Sequence, residues 1–166
     1  MVRNHAADNL PTHRTIHPAH SSAAPTAPKG TLLKHAKAAG KPTRFFETAE
    51  QQIGYLANAP ESVQLKQLRD AIDEAARGPG DFGGIETAWL AGDAAAIARL
   101  TLKDRDQDPD FYATIFTQRN HRFALRIAEL LNGHTNIFVA IGAGHLAGPD
   151  SVQAELAKRN IVVRRL

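Results

Sequence analysis

Cysteine is absent from the sequence, and aromatic residues make up only 6% of its 166 residues. The lack of cysteine excludes a disulfide scaffold, a cysteine-ligated zinc site and a thiol nucleophile. No apolar run approaches the roughly 20 residues that cross a bilayer, and the polar residues 1–10 do not form a secretory signal. We therefore expect a single domain without a transmembrane segment, located in the cytoplasm by default.

The charged residues of the sequence are unevenly distributed along the chain. Residues 1–46 hold seven Lys or Arg against one acid, a net charge of +6, so the remainder carries −3 within the total of +3. No aromatic residue is interleaved with these charges before Phe45, so nucleic acid is an unlikely partner. We expect the chain to divide into a disordered basic tail that contains His and Pro, over residues 1–29, and an ordered domain over residues 30–166.

Apolar spacing in the ordered domain predicts an α/β fold that is mostly helical, with a small sheet. Strands are expected at residues 43–46, 137–141 and 161–163. The last two flank a Gly-rich loop and a helix, so they form a C-terminal βαβ unit with parallel strands. The predicted helices fall at residues 31–39, 48–57, 60–77, 85–90, 94–102, 109–131 and 152–159.

Two polar residues follow predicted strands directly, Glu47 after the first and His145 after the second. Ligands of open α/β sheets bind beyond the carboxyl ends of strands. Gly142 and Gly144 allow positive φ and a close backbone approach to a ligand, although this loop lacks the remaining residues of phosphate-binding fingerprints. A Glu and a His at one sheet edge could bind a divalent metal or act as an acid–base pair; a structural, hydrogen-bonded His145 also fits the pattern.

Arg119 and Asn120 lie in or beside the apolar stripe of the predicted helix 109–131. Polar groups in such a position need polar partners, because burial without them is costly. The pair could stabilise an oxyanion or hold Glu47 in place. The simpler interpretation is an arginine that extends to the edge of the core or forms an ion pair there.

Five stretches of the sequence together resemble the TraB/GumN family, relatives of the Tiki-type proteins. They begin with AGKP at 39–42 and ETAEQQ at 47–52. Trp89 with Gly92 and Asp93, and then RN at 119–120 leading to IAELL at 127–131, follow in the same order. The most specific stretch is FVAIGAGHLAGPDSV at residues 138–152.

The resemblance implies an α/β fold and a metal-dependent, peptidase- or esterase-like hydrolase. By position, His145 matches the second G-x-x-H motif of the family, Glu47 its central Glu, and Arg119 with Asn120 its helix pair. The implied metal ligands are Glu47 and His145, with manganese, cobalt or zinc as the metal, and the substrate a peptide or small molecule. Family members often work at the cell envelope.

The first G-x-x-H motif of the family is missing, since residues 142–145 form the one such motif in this sequence. A catalytic metal usually has about three protein ligands. We therefore expect a chain truncated relative to the family, with an incomplete site or one that a homodimer shares between subunits. The alternative is a non-catalytic binding or assembly module derived from the same fold.

Overall fold

The computed structural model describes residues 28–76 and 84–164, and this part of the chain is helical. Eight α-helices follow one another with a π-helical turn and a 3₁₀ turn between them. Their bounds are α1 Pro28–Ala38, α2 Ala49–Ala57, α3 Glu61–Ala76, α4 Ile85–Leu90, α5 Ala94–Gln107, α6 Pro109–Tyr112, α7 Gln118–Leu131 and α8 Val152–Ala157, with the π-helical turn at Ala113–Thr117 and the 3₁₀ turn at Ala143–Leu146. The seven predicted helices are thus confirmed, with shifted ends.

The predicted α/β fold with a βαβ unit is wrong: the structure is 68% helix and has no strand in its described residues. Residues 137–141 and 161–163 nevertheless alternate in burial with the period of two that a strand has. Their inward side chains cover the helical core, whereas Phe138 and Val162 remain 59% and 52% exposed. A strand needs a backbone ladder to a neighbour as well as this alternation. The apolar run at 137–141 is therefore covered on one face.

Local capping fixes where the helices begin. Thr48 accepts a hydrogen bond from the Gln51 backbone at 3.2 Å, and the Gln51 side chain accepts one from the Thr48 backbone at 2.9 Å, which is a complete capping box. Asp108 caps α6 ahead of Pro109, and Ser151 caps α8. Each cap satisfies backbone N–H groups that have no partner inside the helix.

The main core lies between α7 and α8. Phe123, Ala124 and Ile127 of α7 meet Val152 and Leu156 of α8, and all five are at most 5% exposed. The spacing of the α7 residues puts them on one helical face. Inward side chains of the two extended segments complete the cluster. The lining of this core therefore comes from the last third of the chain, with one further ring from Phe46.

A second, smaller core joins α4 and α5 to the 3₁₀ turn through Ala88, Ile97 and Ala147.

The predicted helix 109–131 is continuous but contains the π-helical turn, which holds one residue more than an α-helical turn would. Such insertions are often found beside functional sites. This one directly precedes the α7 residues Arg119 and Asn120.

Residues 1–27, which include most of the predicted basic tail, lie outside the described part of the chain. The first described helix begins at Pro28, slightly before the predicted domain start at residue 30. Across residues 28–76 and 84–164, no helix combines the length and apolar character needed to span a bilayer.

Candidate functional site

Glu47 lies just before α2 and forms a two-pronged ion pair with Arg119 of α7. The Arg119 Nε donates to Glu47 Oε1 at 2.9 Å, and its terminal NH2 group donates to Oε2 at 2.7 Å. Side-chain exposure is 3% for Glu47 and 15% for Arg119. Arg119 also donates to the carbonyl oxygen of Ile115 at 3.1 Å, inside the π-helical turn. This pair ties the start of α2 to α7 across 72 residues of sequence.

Tyr55 and Arg122 extend this ion pair toward the surface. The Tyr55 hydroxyl donates to Glu47 Oε1 at 3.0 Å and accepts from the Arg122 guanidinium at 2.7 Å. The Arg119 guanidinium lies between two rings, 5.1 Å from the centre of Tyr55 and 5.6 Å from that of Phe123. Cation–π contacts of this kind add to the stability of a partly buried cation.

The electrostatics of this cluster favour a charged Glu47. Burial by itself would raise the pKa of Glu47, but the hydrogen bonds from Arg119 and Tyr55 and the nearby Arg119 and Arg122 charges outweigh it, so the pKa is lowered. Burial and the hydrogen bond to Glu47 raise the pKa of Tyr55. Glu47 is thus an anion and Tyr55 a neutral donor near neutral pH.

His145, in the 3₁₀ turn, is held by Asn120. Its Nδ1 lies 2.6 Å from Asn120 Oδ1, and the Asn120 amide nitrogen donates to the Asp150 carbonyl oxygen at 2.7 Å. Because that carbonyl can only accept, the amide orientation is fixed and Oδ1 faces the histidine. Nδ1 therefore carries the hydrogen, and in the neutral ring Nε2 carries the lone pair.

The environment of His145 is aromatic and partly buried. The rings of Phe116 and Phe123 lie 5.4 Å and 5.3 Å from its imidazole, centre to centre. Asn120 is 1% exposed, so its two hydrogen bonds compensate a buried amide. The result is one tautomer and one ring orientation for His145.

Consecutive residues of α7 thus hold Glu47 and His145, the two residues that the sequence predicted to lie at one sheet edge. Arg119 contacts Glu47, and Asn120 contacts His145. All four predicted site residues lie around the first turn of α7, and Phe123 contacts both Arg119 and His145. Their catalytic and metal-binding roles stay predictions.

Gly142 and Gly144, in the G-x-x-H motif at residues 142–145, do not have the backbone conformation that the sequence analysis allowed for. Gly142 has φ −61°, and neither it nor Gly144 has positive φ, so conformational freedom does not explain the pair. A Cβ on Gly144 would lie 3.0 Å from the Phe116 ring, whereas one on Gly142 would meet its nearest atom at 3.7 Å. Gly144 therefore permits the close packing that brings the 3₁₀ turn against Phe116. Cofactor binding by these glycines stays a prediction.

A cleft of about 820 Å³ opens beside the Glu47 cluster. Tyr55 and Arg122 form one wall, and Glu50, Asp108 and Phe111 contribute to the others. Neither Glu47 nor His145 lines it, so this cleft is not the ligand site predicted at these two residues. Within the described residues, no group of three or more His, Asp or Glu side chains is arranged to hold a metal ion.

Tyr55 and Arg122 are the members of the cluster whose role the sequence interpretation missed. Tyr55 lies in the predicted helix 48–57, and the sequence analysis gave it no polar role. Arg122 lies three residues after Arg119, on the same side of α7. That spacing was the available signal, because a second cation beside Arg119 points to a shared anion.

Comparison with known proteins identifies the family of the chain. The model of the TraB/PrgY/gumN family matches residues 18–165. The chain belongs to the TraB/PrgY/gumN family. Neither the curated proteins nor the solved structures include a match to it. The family assignment therefore rests on the sequence model, and the contacts described above supply the geometry.

Proposed function

We propose that this TraB/PrgY/gumN-family protein is a metal-dependent hydrolase of amide or ester bonds, with its reaction centre at His145. The observation that carries the proposal is the chain of hydrogen bonds from the Asp150 carbonyl through Asn120 to His145 Nδ1. Metal-ligating and general-base histidines are commonly oriented by just such a partner on the opposite nitrogen.

The residues present fit a divalent metal in part. Nε2 of His145 is the imidazole nitrogen that Asn120 does not contact. Both oxygens of Glu47 already accept hydrogen bonds, Oε2 two from Arg119 and Oε1 one each from Arg119 and Tyr55, so a metal at Glu47 would have to displace one of these donors. Two arginines close to Glu47 oppose a cation there. Manganese, cobalt and zinc all accept imidazole and carboxylate donors. A bound cation would supply an acidified water molecule, which is the nucleophile that such hydrolysis needs.

The chain's own residues would contribute position and charge. Asn120 fixes the imidazole so that Nε2 can hold a ligand or accept a proton. Arg119 keeps Glu47 ionised and retains further N–H groups on its guanidinium for a substrate oxygen. Further ligands would come from another part of the polypeptide or from a second subunit. A peptide or small-molecule substrate and a location at the cell envelope belong to this proposal as well.

Calorimetric titration of the metal-stripped protein with manganese tests the proposal. We expect binding to be lost in His145→Ala and retained in His134→Ala, because His134 is exposed and outside the cluster. Hydrolysis of peptides and esters should follow the same order. The absence of manganese binding in a folded wild-type protein, judged by circular dichroism, would contradict it.

A non-catalytic binding or assembly module is the second candidate. The observation that favours it is the state of Glu47, whose carboxylate is already neutralised by Arg119 and bonded to Tyr55. An anion held in this way resembles a structural ion pair more than a base. Unchanged ligand or partner capture by Glu47→Gln and His145→Ala, without any hydrolysis in the wild type, would favour this second function.

A further inference from the structure

The extended segment at residues 137–141 has backbone groups without a partner among the described residues. None of its N–H groups or carbonyl oxygens forms a hydrogen bond within residues 28–76 and 84–164. A helix satisfies such groups internally, and a strand satisfies them through a neighbouring strand. Water can solvate them in the free protein. The segment therefore has the properties of an unpaired strand edge.

Alternate side chains hold this segment on the protein. Ile137, Val139 and Ile141 are partly buried and pack against the core between α7 and α8. Phe138 and Ala140 are exposed. Because the inward side chains already position the backbone, its hydrogen-bonding groups are ordered before a ligand binds, which lowers the entropic cost of binding.

The segment leads directly to the proposed reaction centre. Gly142 continues the extended backbone with φ −61° and ψ 143°, and the 3₁₀ turn that follows contains His145. A strand rises about 3.3 Å per residue, so five residues span about 17 Å. A polypeptide that lies beside the segment and is two or three residues longer therefore extends to this turn.

Residues 162–163 form a second extended stretch without backbone partners in the described part of the chain. No predicted site residue follows them. The two stretches are thus alike in their backbone, and the one at 137–141 is distinguished by its continuity with His145.

We propose that the substrate of the His145 centre is an extended peptide, which binds by adding a strand to residues 137–141. An extended chain has N–H and carbonyl groups at the same spacing as those of the segment, and strand addition is a recurring mode of peptide recognition. The amide bond just beyond the paired residues would then lie beside His145. This inference rests on the proposed function, since it names peptides, and not small esters, as the substrate of that site.

Amide hydrogen exchange of the metal-stripped full chain tests the pairing in the absence of hydrolysis. The probe is a blocked heptapeptide in which valine and threonine alternate. We expect the amides of residues 137–141 to exchange rapidly in the free protein. The peptide should slow every second one, because neighbouring residues of a strand direct their N–H groups to opposite sides. Val162 and Val163 are the internal control and should exchange rapidly with and without the peptide.

N-methylated versions of the same peptide test whether backbone hydrogen bonds carry the binding. Methylation of an amide that faces the segment should weaken binding about tenfold or more, since it removes a donor and blocks the approach of the two chains. Methylation of the next amide along the peptide, which faces away, should change the affinity less than about threefold. The two sets of peptides have the same composition and serve as matched controls for each other.

Four results would overturn the proposal. The first is a failure of the probe to bind at millimolar concentration. The second is protection of residues 137–141 in the free protein, which would assign the edge to another part of the chain or, if the protection rises with protein concentration, to a second copy. The third is peptide binding that leaves these amides unprotected. The fourth is an equal effect of methylation at neighbouring amides.

The same measurements separate this inference from the proposed function. A peptide that protects residues 137–141 but is never hydrolysed by the metal-loaded protein would reject the hydrolase and leave the strand-addition site. Hydrolysis of esters by a protein whose segment binds no peptide would reject the strand-addition site and leave the hydrolase.

Discussion

The α7–α8 region and the α2–α3 segment have the same kind of sequence pattern and opposite environments. Ile127 of α7 is 3% exposed, and Ile72 of α3 is 57% exposed, although both belong to apolar stripes with helical spacing. The extended segments at 137–141 and 161–163 cover the first stripe, and nothing in the described residues covers the second. Periodicity thus identifies the face that should be buried, but it does not identify what buries it.

The largest expected difference in unfolding free energy is between an isoleucine-to-alanine substitution in α7 and the same substitution in α3. Ile127→Ala should lower the free energy of unfolding by about 2–5 kcal/mol, since it leaves a cavity in the core. Ile72→Ala should change it by about 0.5 kcal/mol or less. Urea unfolding at protein concentrations low enough to avoid association would measure both. Equal losses would show that the apolar stripe of α3 is covered within the monomer.

Asn120→Ala examines the polar side of the α7 region. The variant leaves the Asp150 carbonyl and His145 Nδ1 without their amide partner, so we expect a loss of about 1–3 kcal/mol in unfolding free energy. The matched control is Asn136→Ala, an exposed asparagine that should have little effect. Nitrogen chemical shifts of the His145 ring should report loss of the single tautomer. Unchanged shifts would mean that Asn120 does not set it.

Acid stability should distinguish the ion pairs of the two regions. Glu155 of α8 has an 8% exposed side chain and contacts Lys158, His121 and Arg159. The Lys158 hydrogen bond is the largest of the effects that lower its pKa from 4.5 to about 2. Because the folded pKa lies below the unfolded one, the stabilisation is full above pH 4.5 and is lost as the pH falls toward about 2. At neutral pH, Glu155→Gln should therefore cost about 1–3 kcal/mol.

The corresponding ion pair of α3 is Lys66–Asp70, whose side chains are 41% and 56% exposed. Asp70→Asn should cost less than about 1 kcal/mol, because exposed ion pairs contribute little. Thermal unfolding between pH 7 and pH 2 would compare the two variants. A Glu155→Gln protein with the same acid profile as the wild type would contradict the assignment.

The smallest effect is expected from the glycines of the 3₁₀ turn. Gly144→Ala should cost about 1 kcal/mol or more, since its Cβ would lie too close to the Phe116 ring and the packing must shift. Gly142→Ala has room for its methyl group and should cost less. Thermal unfolding of the two variants side by side measures the difference. The opposite order would mean that the turn does not pack as described.

Much of the helical framework could be predicted from the sequence, because its signals are local. The cap at Thr48 and the proline at position 109 mark helix starts through the first few backbone groups alone. The polar residues Arg119 and Asn120 beside an apolar stripe correctly indicated that polar partners must exist. Glu47 as the partner of Arg119 was among the alternatives considered.

Whether the apolar segments pair into a sheet could not be predicted from local signals. Residues 137–141 have the composition of a strand, but pairing depends on a neighbour that no local pattern specifies. The exposed apolar stripe of α3 has the same cause, since burial is a property of two surfaces. The capping role of Gln51 and the anion-holding role of Tyr55 were missed because each depends on where one side chain turns. The π-helical turn has no recognisable signature in the residues at 113–117.

The π-helical turn at Ala113–Thr117 makes the spacing between α6 and α7 sensitive to insertion and deletion. Removing one residue there would restore α-helical hydrogen bonding and rotate α7 by about 100° relative to α6. Neighbouring positions on a helix differ by that same angle. Asn120 would then occupy the direction that Arg119 has now, facing Glu47, and His145 would lose its amide partner. Evolution could therefore exchange or dismantle this pair of contacts by changing the length of the chain by one residue, without substituting any residue that forms it.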